Sequence, residues 1–260
     1  MLKKILAASL VAASASFATW DYYSVPETHK GDVKVGWYYD WDDDWSQMGL
    51  TLGARYVIIP NLELSLMSWG YQFWNETDCS GCEDGGDGLR DLTIGVRYQL
   101  APEFNVFLDF NAPIGGDEVT SDEIAFYFGG QFSRGFTEDL NFGAEAGVDW
   151  GLEHDNYERG LDVVVGAEIS YSLANVAKLA LTPYLGMEFT FRLTDSEYDG
   201  SGDDDYDYDD SGDNQLNIWL GLEYALVQNM SLAFELWVRS GSQYIDGDAT
   251  GLKAYFDYSF

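Results

Sequence analysis

Positive charge is what this sequence has least of: 13 Lys and Arg stand against 45 Asp and Glu, a formal net charge of −32. A surface of that sign repels phosphodiester backbones and anionic lipid headgroups, which argues against nucleic acid as a partner. Long apolar runs are also missing. Met1-Leu2-Lys3-Lys4 precedes the apolar stretch Ile5 to Val11 and then small residues ending Ser16-Phe17-Ala18. That stretch is far below the roughly 18–20 residues of a membrane-crossing helix, and reads instead as an export signal, residues 1–18, cleaved near Ala18. No later segment is apolar enough for a membrane helix, so a helical membrane protein is excluded.

Histidine and cysteine are scarce too. Of the two histidines, His154 has Asp155 beside it, a pair that could activate water, but no partner set accompanies it. The chain is therefore read as a non-enzyme, without a cofactor. The two cysteines lie in Asp78-Cys79-Ser80-Gly81-Cys82-Glu83. In an exported chain the pair Cys79 and Cys82 reads as a local disulfide, with free thiols or redox chemistry as the alternative. A zinc site would need more ligands than this segment supplies.

What the sequence does have is alternation. In Gln215 to Leu226, Leu216, Ile218, Leu220, Leu222, Tyr224 and Leu226 share one face, and Asn217, Trp219, Gly221, Glu223 and Ala225 the other, a period only a strand produces. The pattern recurs near 31–39, 47–58, 62–73, 90–100, 104–112, 122–133, 140–150, 160–173, 179–192, 231–240 and 250–260. The joins alternate between tight ones, such as Ile59-Pro60-Asn61 and Ala101-Pro102-Glu103, and long polar ones near 40–46, 74–89, 113–121, 151–159, 193–214 and 241–249. Short turns on one rim and long loops on the other predict an all-β fold, a transmembrane antiparallel up-and-down β-barrel of 12 strands over residues 31–260. Residues 19–30 are expected to form a periplasmic or plug segment.

Strands entering the short turns repeat a motif: Gly53-Ala54-Arg55-Tyr56, Gly95-Val96-Arg97-Tyr98, Gly129-Gly130-Gln131-Phe132 and Gly221-Leu222-Glu223-Tyr224. Glycine and a polar residue face inward and an aromatic faces outward, half of an interfacial girdle. The last strand alternates Leu252, Ala254, Phe256, Tyr258 and Phe260. An aromatic end of this kind resembles the C-terminal signature of bacterial outer-membrane barrels, which implies recognition by the barrel-assembly machinery.

The register assigns Arg55, Arg97, Asp109, Glu145, Glu168, Glu188, Arg192, Glu223, Glu235 and Arg239 to the lumen, as either a polar pathway or a structural salt-bridge network. Asp195 to Asp213 holds ten acidic residues in nineteen and is expected to be a flexible external loop. Within it Asp207, Asp209 and Ser211 match the start of a calcium loop, but Ile218 stands where the bidentate Glu belongs, so only weak calcium binding is expected. Trp41-Asp42-Asp43-Asp44-Trp45 adds acid to the same rim, which should concentrate cations.

Gly88-Leu89-Arg90-Asp91-Leu92-Thr93-Ile94-Gly95-Val96-Arg97-Tyr98, followed by Phe104 to Phe110 and Asn111-Ala112-Pro113-Ile114-Gly115, resembles the MetA-pathway phenol-degradation family of outer-membrane transporters. Its members carry a Gly-x-x-Asp-Leu-Thr-like lead into a Gly-x-Lys/Arg-Tyr strand, then a strand ending in a Pro-x-Gly loop. The 193–214 loop is not part of that pattern. The resemblance implies a passive channel for small solutes, hydrophobic or aromatic ones among them, surrounded by outer-membrane lipid. The alternative is a non-conducting structural or surface-interaction barrel whose acidic loops bind cations or a partner.

Overall fold

The computed structural model describes residues 28–42, 45–76, 85–120, 123–153, 157–198, 206–208, 210–241 and 248–260. Its strands are β1 (Gly31–Trp41), β2 (Trp45–Ile59), β3 (Leu62–Glu76), β4 (Gly85–Leu89), β5 (Leu92–Ala101), β6 (Phe104–Ala112), β7 (Ala125–Gly135) and β8 (Leu140–Gly151). They continue as β9 (Tyr157–Glu158), β10 (Asp162–Tyr171), β11 (Leu181–Arg192), β12 (Ser196–Tyr198), β13 (Tyr206–Tyr208), β14 (Asn214–Val227), β15 (Met230–Gly241) and β16 (Ala249–Ser259). Twelve of them form an up-and-down barrel in which each long strand pairs antiparallel with its neighbours along the chain. The ring closes where β1 meets β16, from Asp32↔Ser259 to Trp41↔Thr250. Closure leaves no barrel edge with unpaired amides, the condition for crossing lipid with strands.

Burial inverts the usual arrangement. On β14 the outward Leu220 is 58 % exposed while the adjacent inward Trp219 is 1 % exposed, and Asn217 and Glu223 are buried with it. Charged groups inside and aliphatic groups outside suit a barrel set in hydrocarbon, not in water. Tyr56, Tyr98 and Tyr224 point outward beside the short turns, as the repeated motif requires. Phe260 stacks on Tyr56 across the closure, ring centroids 6.3 Å apart.

Four joins differ from the sequence expectation, one of them 151–159, which contributes β9. Strand replaces both ends of the long loop expected at 40–46, β1 reaching Trp41 and β2 beginning at Trp45: Trp41 pairs with Ser46, the Trp45 amide donates to Asp42 Oδ1 at 2.8 Å, and inward Gln47 donates to Asp40 at 3.0 Å. Acidic residues do not end a strand when their carboxylates find donors. Part of the loop expected at 74–89 is β4, which continues the line of β5 above Arg90-Asp91 and pairs with the upper half of β3. The loop expected to be flexible at 193–214 contributes β12 and β13, which form a small antiparallel sheet with β9.

Candidate functional site

The interior is the part of this molecule that carries chemistry. Arg55, Arg97, Asp109, Glu145, Glu168, Glu188, Arg192, Glu223, Glu235 and Arg239 all lie on the inward phase of their strands and are buried. Register brings them into two groups. On the β1–β6 wall, Arg55 Nε lies 2.6 Å from Asp32 and its Nη1 lies 3.5 Å from Glu63, while Arg97 lies 3.4 Å from Glu63 and 3.9 Å from Asp109. The β8–β15 wall is more acidic. There Glu168 accepts from Trp219 Nε1 at 2.8 Å, Glu188 from Asn217 at 3.3 Å, and Glu235 lies 3.1 Å from Lys253. Fourteen buried carboxylates face eight buried Lys and Arg among the described residues, so the protein's own bases do not neutralise its interior.

Register rows also run obliquely around the wall. One passes through Gln99, Asn105, Gln131, Glu145, Gly166, Glu188, Asn217, Arg239 and Ala249 on successive strands without a break. Five inward aromatic side chains fit between such rows because each has a glycine opposite. Tyr38 pairs with Gly49, Tyr184 with Gly221, Trp219 with Gly186, Trp237 with Gly251 and Tyr255 with Gly36. A Cβ on Gly49 would sit 2.7 Å from Tyr38 Oη, and one on Gly36 would sit 2.8 Å from the Tyr255 ring. Side chains along a water-filled pore would be wet, yet Trp219, Arg97, Lys34, Lys253, Gln131 and Glu63 are each less than 2 % exposed. These side chains are enclosed.

Two arginines hold the extracellular end. Arg192, at the top of β11, lies 2.9 Å from Asp162 on β10 and 2.6 Å from Asp210, and donates to Ser196 Oγ at 3.2 Å. Asp210 also accepts from the Ser196 amide at 2.7 Å. Burial pushes the Asp210 carboxyl up, but the Ser196 amide and the Arg192 guanidinium outweigh it and hold its pKa below the usual carboxylate value. Asp195 is lowered as well, chiefly by the Ser211 amide, which donates to it at 2.7 Å. Arg159 makes the second tie, 2.9 Å from Asp149, 3.3 Å from Glu123 and 3.8 Å from Asp162. Burial opposes its charge, yet these carboxylates raise its pKa still further. Sequence reading missed Arg159. Its only signal was a lone base between Glu158 and Gly160 in an acidic loop.

Of the three residues considered for calcium, Asp207 lies on β13, Asp209 lies outside the described residues, and the Ser211 amide is used by Asp195. Cys79 and Cys82, residues 1–18 that were expected to be an export signal, and residues 19–27 also lie outside the described residues. The segments that carry the family resemblance meet in space. Asp91 Oδ1 accepts from the Gly115 amide at 2.9 Å and Asp91 Oδ2 from Asn111 at 3.3 Å. A Cβ on Gly115 would sit 2.7 Å from the Leu89 carbonyl oxygen, so glycine is what lets the loop close against β4. This lock explains why the Asp and the Pro-x-Gly belong together.

The family described as "Putative MetA-pathway of phenol degradation" matches residues 21–244. The chain belongs to this family. Its fold is shared with an outer membrane channel from Pseudomonas putida F1, 12 % identical, at a TM-score of 0.71 over 92 % of this chain and 98 % of that one. The β domain of the Bordetella autotransporter BrkA is 14 % identical at 0.56, covering 90 % and 100 %, and the NanC porin is 12 % identical at 0.52, covering 87 % and 98 %. At such identities the likeness is one of fold: this member of the phenol-degradation family is built as a bacterial outer-membrane barrel. No curated protein matches the chain.

Proposed function

We propose that this barrel is a passive outer-membrane channel for small solutes, closed in the conformation described and covered at its outer end by the loops that Arg159 and Arg192 hold. The observation that carries this reading is the interior itself. A barrel needed only as a scaffold gains nothing from buried ion pairs, because well-packed apolar groups of similar volume are often as stabilising or more so. A charged interior is of use when polar solutes pass through it. On this reading the acid-rich segments at 42–44 and 195–213 belong to the outer rim and would concentrate cations at its mouth. In planar bilayers the folded protein is expected to give discrete conductance steps. A specific observation favours the second reading, a non-conducting surface barrel: Trp219, Arg97, Gln131 and Glu63 on the inner wall are each less than 2 % exposed. Absence of both conductance and liposome solute flux, with heat-modifiable mobility intact, would decide for it.

A further inference from the structure

We infer that, if the barrel conducts as proposed above, it selects organic ammonium ions through an acceptor-rich, aromatic site formed by Asn105, Phe107 and Asp109 on β6, Tyr127 and Gln131 on β7, and Glu145 on β8. Register sets these side by side on the inner wall. Asn105 is opposite Gln131, Gln131 is opposite Glu145, and Asp109 is opposite Tyr127. All six are buried, and Asn105, Asp109 and Gln131 are each 1 % exposed.

The hydrogen bonding of the group is one-sided. Glu145 accepts from Tyr127 Oη at 2.5 Å and from Gln131 Nε2 at 2.6 Å. That leaves Gln131 Oε1, Asn105 Oδ1 and both Asp109 oxygens buried with no hydrogen-bond donor. The Asp109 ion pair with Arg97 is long, 3.9 Å, and Arg97 also serves Glu63. Buried acceptors without donors are costly, and a ligand that brings donors removes the cost. Two carboxylates add a demand for positive charge. The apolar part of the site is the Phe107–Tyr127 pair, with ring centroids 4.8 Å apart and planes tilted by 50°, whose faces attract a cation.

A primary ammonium on an apolar body meets all three demands: three N–H donors, one positive charge and a group that packs on the rings. A metal ion fits less well, since it needs a tight shell of oxygens, and the described residues hold no group of three or more His, Cys, Asp or Glu side chains suited to one. Three probes that share a phenyl ring separate the contributions. Benzylammonium has charge and donors, benzyltrimethylammonium has charge alone, and benzoate has the opposite charge.

The full chain folded in detergent micelles, titrated calorimetrically, is expected to bind benzylammonium saturably and about tenfold more tightly than either other probe. Glu145→Gln should weaken that binding about tenfold. Tyr127→Phe, which frees Glu145 Oε1 and keeps the ring, should strengthen it, and this carries the test if the Gln variant fails to fold. No saturable binding, or equal binding of the three probes, overturns the site and leaves water as the missing donor. Conductance in potassium chloride tests the channel separately: binding without conductance removes the channel, and conductance without binding removes the site.

Discussion

Arg192 joins the barrel wall to the segment above it, and its loss would take the nearest cation from two buried carboxylates, leaving Asp162 with Arg159 at 3.8 Å and Asp210 with the Ser196 donors. Removing one partner of a buried pair costs on the order of 3 kcal/mol, so Arg192→Met is expected to loosen 193–213 while the barrel stays folded. Faster hydrogen exchange at Ser196 and Gly212 with unchanged heat-modifiable mobility would show it. The sign of the pH dependence follows from Asp210 and Asp195, both held below the ordinary carboxylate pKa. A depressed carboxyl stabilises above the unfolded value, about 3.9, and loses that contribution as pH falls through the folded value. The latch should therefore stay closed through mild acid and weaken only below about pH 4, which exchange at Ser196 between pH 7 and pH 3 can follow. Glycine opposite an aromatic makes another testable point. Gly186→Ala places a methyl against Trp219, which is expected to break the Trp219–Glu168 hydrogen bond and cost roughly 1–3 kcal/mol in denaturant unfolding.

The strands differ in how plainly the sequence marks them. Those that cross the membrane were legible because lipid demands an apolar outer face, and a period of two then assigns every inward position. The short ones were not. β4, β9, β12 and β13 are two to five residues long and lie among Gly, Asp and Glu, which are depleted in strands, so the tyrosines of β9, β12 and β13 alone do not mark them. What orders them is side-chain bonding from other parts of the chain, such as Ser196 Oγ accepting from the Gly160 amide and Thr194 Oγ1 accepting from the Leu161 amide. β16 carries a different expectation. Leu252 and Phe256 on it and Phe260 just after it face outward, and we propose that the barrel-assembly machinery reads them: deleting Phe260 is then expected to lower the folded fraction in cells while refolding in detergent changes little. Equal folded yields in both settings would count against that role.

Across the molecule, strand number, membrane orientation of the faces and the inward set could be read from sequence, whereas partnership inside the lumen could not. Which acid meets Arg55 depends on strand register, and that is shifted by irregularities between Leu52 and Ala54 and between Leu66 and Ser68 that no local pattern announces. Arg159 was hidden for a related reason, since its partners Glu123, Asp149 and Asp162 come together only once β8, β10 and the segment before β7 are in register. The oblique row from Gln99 to Ala249 has a consequence for any solute that moves through. Gln99 stands near the short-turn rim and Ala249 near the long-loop rim, so one helical ramp of neighbouring side chains winds through the full height of the wall. A traveller on it need never cross a central void: it could be handed sideways from strand to strand, climbing a step at each transfer.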